Sequence, residues 1–175
     1  MTAGHLLQHA KEGSRSSLGR LLDRYAGYLT LLARAQIGAH LRGKVDPGDV
    51  VQETFLEAHR QFPQFRGQSE PELLGWLRRI LAGQLALAAR RFLGTKGRDA
   101  RLERELVVRV DQSSQALERG LTAPGSSPSH AAVRREQSVL LSQALERLPV
   151  DYREVIILRH LENLPVFMSH LISVH

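Results

Sequence analysis

The chain predicts an all-α protein, and three observations carry that expectation. Leucine and alanine abound while aromatic residues make up only 5%, apolar residues recur at helical spacing over long runs, and the alternating Val/Ile/Thr stretches typical of strands are absent. With 175 residues and a hydrophobic fraction of 42%, there is enough for one ordinary domain or two small ones with real cores, which excludes a disordered tail. Lys+Arg 24 against Asp+Glu 18 gives a formal charge of +6. That balance favours a polyanionic partner but does not separate DNA from RNA or acidic lipid. The absence of cysteine removes disulfides and thiolate metal sites and suits a reducing cytoplasm. No apolar run reaches the roughly 18 residues that span a bilayer, and the segment MTAGHLLQHAKEG lacks a signal-peptide core. A cytoplasmic protein without membrane insertion is expected.

In chain order, residues 1–13 read as a short lead. From Ser16 to His40, the spacing of Leu18, Leu21, Leu22, Tyr25, Leu29, Leu32 and Ile37 predicts one long amphipathic helix. Leu41 to Val45, with Gly43, suits a short turn to an antiparallel neighbour. Asp46 as N-cap and Pro47 at the first helical position mark the next helix start twice. At about 100° per residue, Val51, Phe55, Ala58 and Phe62 share the core stripe of that helix. Asp49, Gln52, Glu53, Leu56 and Arg60 share the opposite face, which is polar and largely acidic with one leucine in its middle. Such a face is either simply solvated or open to a partner.

Pro63 and Gly67 place a loop after Phe62, and Ser69 with Glu72 forms a capping box, so a third helix is expected from there to about Phe92. Its broad apolar face holds Leu73, Leu74, Trp76, Leu77, Ile80, Leu81 and Leu85. The other side mixes small residues with arginines: Gly75, Arg78, Arg79, Ala82, Gly83, Ala86, Ala89 and Arg90. Two readings stay open for it. Short side chains with guanidiniums let a nucleic-acid strand lie close, yet alanine is also the best helix former and arginine a usual surface residue. Between Trp76 and Val110, nine basic residues (Arg78, Arg79, Arg90, Arg91, Lys96, Arg98, Arg101, Arg104 and Arg109) face three acidic ones. That surplus equals the whole formal charge of the chain.

Arg98 to Val110 suggests a further short helix, and residues 111–131, rich in Ser, Gly, Pro and Ala, read as a linker able to span up to roughly 60 Å. Val133 to Leu148 is predicted helical and stopped by Pro149. Asp151 and Glu154 then repeat the cap pattern ahead of a last helix over 155–161.

The string DVVQETFLEAHRQF, followed by FRG and a tryptophan, resembles region 2.2 of the sigma-70 family, closest to its small extracytoplasmic-function members. LLDRYAGYLTLLARAQIG is similar to region 2.1, WLRRILA to the region 2.3–2.4 helix, and ALERLPVDYREVIILRHLENLP to the start of region 4. The resemblance implies a helical region 2 domain (14–97), a basic extension and linker (98–132) and an incomplete helical region 4 domain (133–175). It implies that Asp49, Gln52, Glu53 and Leu56 dock on the clamp coiled coil of core RNA polymerase. It further implies promoter contacts at the −10 element by Phe65, Arg66 and Gly67 of a base-pocket loop that includes Gln68, with Trp76, Arg78, Arg79, Gln84, Arg90 and Arg91. Trp76 also reads as a core residue. Relatives usually carry asparagine where Gln84 stands, so base preference does not carry over.

Residues 165–175 match no helix-turn-helix pattern and contain no Arg or Lys, which implies a truncated region 4, impaired −35 recognition and too few partners for Val155, Ile156 and Leu158. An alternative is a chain that occupies polymerase or an anti-sigma factor without initiating transcription. Eight scattered histidines, no glycine-rich phosphate loop and no nucleophile beside a base give no ground for an enzyme, a cofactor or a metal site.

Overall fold

The computed structural model describes residues 1–37, 41, 43–93, 100–120 and 131–160. Among them lie eight α-helices, one 3-10 turn and no strand, as the composition predicts.

The first helix, α1 (Ala3–Lys11), occupies the stretch expected to be a lead. Thr2 caps it by accepting from the His5 N–H, and Ala3, Leu6, Leu7 and Ala10 form a buried stripe at i, i+3, i+4 and i+7 spacing. A nine-residue helix is not stable alone, so this burial, about 1.5–3 kcal/mol for each leucine, holds it. Gly13, at φ 98, ends it: the Ser14 N–H bonds the His9 carbonyl and the Gly13 N–H that of Ala10, a Schellman closure. Ser14 then caps α2 (Arg15–Arg24).

The long helix expected from Ser16 breaks at Tyr25, where the N–H turns back to Leu22 and α3 (Ala26–Gln36) begins. One residue of interruption leaves the apolar period almost in phase, so the pattern alone does not reveal it. Tyr25 is fully buried, and its hydroxyl donates to Glu70 at 2.6 Å. α3 buries Tyr28, Leu29, Leu31, Leu32, Ala33 and Gln36, nearly its whole circumference, and touches every later helix.

Asp46 caps α4 (Pro47–Gln61), taking the Gly48 and Asp49 N–H groups at 2.6 and 3.2 Å, with Pro47 in the first turn. A 3-10 turn (Phe62–Gln64) and an extended Phe65 lead to α5 (Glu70–Leu93). From Ala100, the chain is helical through Gly120 as α6, so the first half of the stretch read as a linker is structured. Residues 121–130 of that stretch, and Lys96, Arg98 and Asp99 of the basic run, lie outside the described residues. Leu106, Val110, Ser113, Ser114 and Leu117 make the buried stripe of α6 against α5 and α3.

α7 (Ala131–Glu146) lies along α3, where Gly27 permits the approach: a Cβ there would meet Gln143 at 3.4 Å. Arg34–Glu146 at 3.1 Å ties the same pair, and Arg24–Glu136 at 3.0 Å ties α7 to the end of α2. α8 (Val150–His160) follows Pro149 and packs on α3 and α6. Arg153 is buried and donates to the carbonyls of Leu145, Glu146 and Leu148 at 3.0, 2.7 and 2.8 Å, satisfying the end of α7. Ile156 packs on the core and Ile157 is buried, against the expectation that this helix lacks partners; the side chains of Val155 and Leu158 lie outside the described residues. Residues 161–175, on which the expected truncation of region 4 rests, also lie outside them.

Candidate functional site

On α4 the core stripe of Val51, Phe55, Ala58 and then Phe62 is buried, which turns the opposite ridge outward. Asp49, Gln52, Glu53 and Leu56 are all exposed. Among the described residues none of the three polar side chains has a partner, and Leu56 is 53% exposed in their midst. An apolar side chain held in water between free carboxylates is a surface ready for a basic and apolar partner.

The loop that follows is tightly held. Glu72 accepts from the Gln68 and Ser69 N–H groups at 2.9 and 3.0 Å and from the Ser69 hydroxyl at 2.7 Å, and these bonds, the Ser69 hydroxyl first, lower its pKa. Lys11 of α1 reaches the Gly67 carbonyl at 3.0 Å, and Arg66 bonds the Pro63 carbonyl at 3.1 Å. Only glycine fits at 67, since a Cβ would sit 2.3 Å from the Phe65 ring. Phe65 is buried and packs against Phe62 and Trp76, with centroids 5.8 and 4.9 Å away, so little of its ring is open to an incoming base. Trp76 is half-buried and part of this cluster, consistent with its reading as core.

The small and basic face of α5 divides. Ala82 and Ala86 are fully buried and Ala89 nearly so, because α6 packs there. Arg78 lies on that covered side. Its guanidinium pairs with Asp111 of α6 at 2.6 Å and donates to the Tyr28 hydroxyl at 3.2 Å, which in turn meets Ser114 at 2.7 Å. Arg78, expected to contact DNA, is held here by partners within the protein, and the short side chains beside it admit a helix. Burial raises the Tyr28 pKa, with Arg78 and Ser114 opposing, and partnership with Tyr28 and Asp111 raises that of Arg78 against its own burial. Arg79, Leu87 and Arg91 stay exposed, and Gly83, Gln84 and Arg90 are half-buried.

A cleft of about 660 Å³ opens between the α1–α2 corner and the end of α4. Lys11, Arg15, His59, Arg60 and Arg66 line it over a floor that includes Leu18, Phe62 and Phe65. Lys11, Arg15 and His59 escaped the sequence reading, because no local pattern marks cations that meet only through the fold. His5 and His9 stand four residues apart on α1, but among the described residues no group of three His, Asp or Glu side chains is placed to hold a metal ion. Among these residues no helix is long and apolar enough to cross a membrane.

The chain is 26% identical over 164 residues to the ECF RNA polymerase sigma-E factor of Haemophilus influenzae, covering 94% of this chain and 79% of that protein. It is likewise 26% identical over 159 residues to the proteins of that name in Salmonella typhimurium and Escherichia coli, covering 91% of this chain and 76% of each. No family model matches the chain, and no solved structure matches it.

Proposed function

We propose that the chain is an RNA polymerase sigma factor of the extracytoplasmic-function type. It docks on core polymerase through Asp49, Gln52, Glu53 and Leu56 of α4. It engages the promoter −10 element through the 65–68 loop and through Trp76, Arg79, Gln84, Arg90 and Arg91 on and beside α5. The observation that carries this reading is the bare α4 ridge, with Leu56 53% exposed between partnerless polar groups. Similarity to sigma-E factors over 94% of the chain supports it. No covalent chemistry is asked of the protein: unstacking a base costs a few kcal/mol, and phosphate and pocket contacts of about 1–3 kcal/mol per base offset it.

A second reading has its own support. α6 covers part of the basic face of α5, and α7 is tied to α3 by Arg34–Glu146 and to the end of α2 by Arg24–Glu136, which fits a chain that occupies polymerase or an anti-sigma partner without starting transcription. Binding to core polymerase, followed on the same complex by transcription from a template with a premelted −10 element, separates the two. The sigma-factor reading expects tight binding, initiation on the bubble, and loss of both in Gln52→Ala/Glu53→Ala. Binding without initiation supports the second reading, and no binding to polymerase overturns both in their polymerase form.

A further inference from the structure

The outward face of α1 carries a set of side chains that the function proposed above leaves unused. His5, Gln8, His9 and Glu12 are all exposed, on the side opposite the buried Ala3, Leu6, Leu7 and Ala10. In the sequence His5 and His9 read as two of eight scattered histidines. The helix sets them on one ridge, where side chains at i and i+4 have Cβ atoms about 5–6 Å apart. Two imidazoles at that spacing can reach one metal ion from the same side.

Glu12 prepares one of them. Its Oε1 accepts from the Gln8 amide at 2.8 Å, and its Oε2 lies 3.4 Å from His9 Nδ1. A carboxylate beside one ring nitrogen leaves the other, Nε2, as the metal-binding atom, which is the usual arrangement behind a ligating histidine. Glu12 is also the C-cap of α1, the end where the helix dipole disfavours an acid. Folding gives little reason for this group: histidine is a modest helix former, and a nine-residue helix needs better ones. A divalent cation supplies the reason, since it ties successive turns of α1 together and offsets the charge of Glu12.

We propose that His5 and His9 bind a divalent transition-metal ion of the copper, nickel or zinc class, with Glu12 holding His9 from behind. Imidazole nitrogen favours these ions over magnesium and calcium, which prefer oxygen. Among the described residues no third His, Asp or Glu is placed to complete the set, so water takes the remaining positions and the site is open and exchangeable. Its occupancy steadies α1, and Lys11 of the same helix passes that restraint to the Gly67 carbonyl at 3.0 Å. The site stands whether or not the chain serves polymerase.

The test titrates the full chain, made without a histidine tag, with Cu(II), Ni(II), Zn(II) and Mg(II) chlorides by isothermal calorimetry in a non-coordinating buffer. Cu(II) is expected to bind most tightly, Ni(II) and Zn(II) less so and Mg(II) not at all. The electron paramagnetic resonance spectrum of the tightest Cu(II) equivalent should show two coordinated nitrogens. His5→Gln and His9→Gln are each expected to weaken that equivalent by about tenfold or more, because each remaining imidazole loses its intramolecular companion. Glu12→Gln is expected to weaken it by about tenfold. That variant removes no ligand and relieves the helix C-terminus of an acid, so its loss cannot come from unfolding of α1. His59→Gln on α4 should leave the equivalent unchanged.

Unchanged binding in both His5→Gln and His9→Gln, or an equal loss in His59→Gln, overturns the proposal. So does binding confined to millimolar metal, which would mark an adventitious ion only, or a Mg(II) affinity matching that of Cu(II), which would mark a carboxylate site elsewhere.

Discussion

Two consecutive helices, α4 and α5, each carry a face set apart from their apolar stripe, and the fold treats the two faces in opposite ways. On α4 the ridge of Asp49, Gln52, Glu53 and Leu56 is left in water. On α5 part of the corresponding surface is covered by α6, with Ala82 and Ala86 fully buried and Arg78 tied to Asp111. The difference lies in side-chain size. Long polar groups hold a neighbouring helix away and advertise a face for something else, whereas a row of small residues invites whichever backbone arrives first, and within one chain that is the next helix.

The comparison can be broken most directly by enlarging one residue on each face. Ala86→Leu forces α5 and α6 apart and is expected to destabilise the fold by about 1–3 kcal/mol, the usual range for an overpacked core. Gln52→Leu on α4 should stay within about 0.5 kcal/mol. Thermal unfolding of the pair measures both, and equal effects would mean that α6 does not sit on α5. A smaller contrast compares adjacent arginines. Arg78→Met removes a partly buried, charge-assisted pair and should cost about 1–2 kcal/mol, discounted for the 43% exposure of the Asp111 side chain. Arg79→Met should leave stability alone while weakening DNA binding.

The smallest expected effect is alkaline. Tyr28 and Tyr25 have pKa values raised above the ordinary 10.0, in both cases chiefly by burial. A phenol whose folded pKa is raised contributes stability that is intact below the unfolded value and lost as pH climbs beyond it. Unfolding free energy should therefore hold steady to about pH 9 and fall above pH 10. Tyr28→Phe should flatten part of that fall, and the same slope in the variant would place the loss elsewhere.

Much of this was legible beforehand, and what was missed has physical reasons. Asp46 and Pro47 announced α4, and Ser69 with Glu72 announced α5, because caps act within four residues and leave a local signature. The outward turn of Asp49, Gln52, Glu53 and Leu56 followed from helical periodicity alone. α1 reads as a lead although Thr2, Leu6, Leu7 and Ala10 carry its pattern, because its ending depends on Gly13 adopting a positive φ. The break at Tyr25 hid inside an unbroken period. The helical course of α6 beyond residue 110 was obscured by Ser113 and Ser114, which resemble linker residues until they meet Gln36 and Tyr28 across the core. Arg153 looked like one more surface cation in a capping sequence, and only the approach of α7 shows it closing that helix.

The bond from Lys11 to the Gly67 carbonyl bridges 56 positions of chain. Closing so large a loop carries an entropic penalty that local structure does not, and contacts of this span form late on a folding path. The helices can assemble first, but the 65–68 loop reaches its final shape only when α1 arrives to clamp it. Refolding should therefore show the helical signal recovering ahead of the environment of Trp76, the one tryptophan in the chain and a direct neighbour of Phe65.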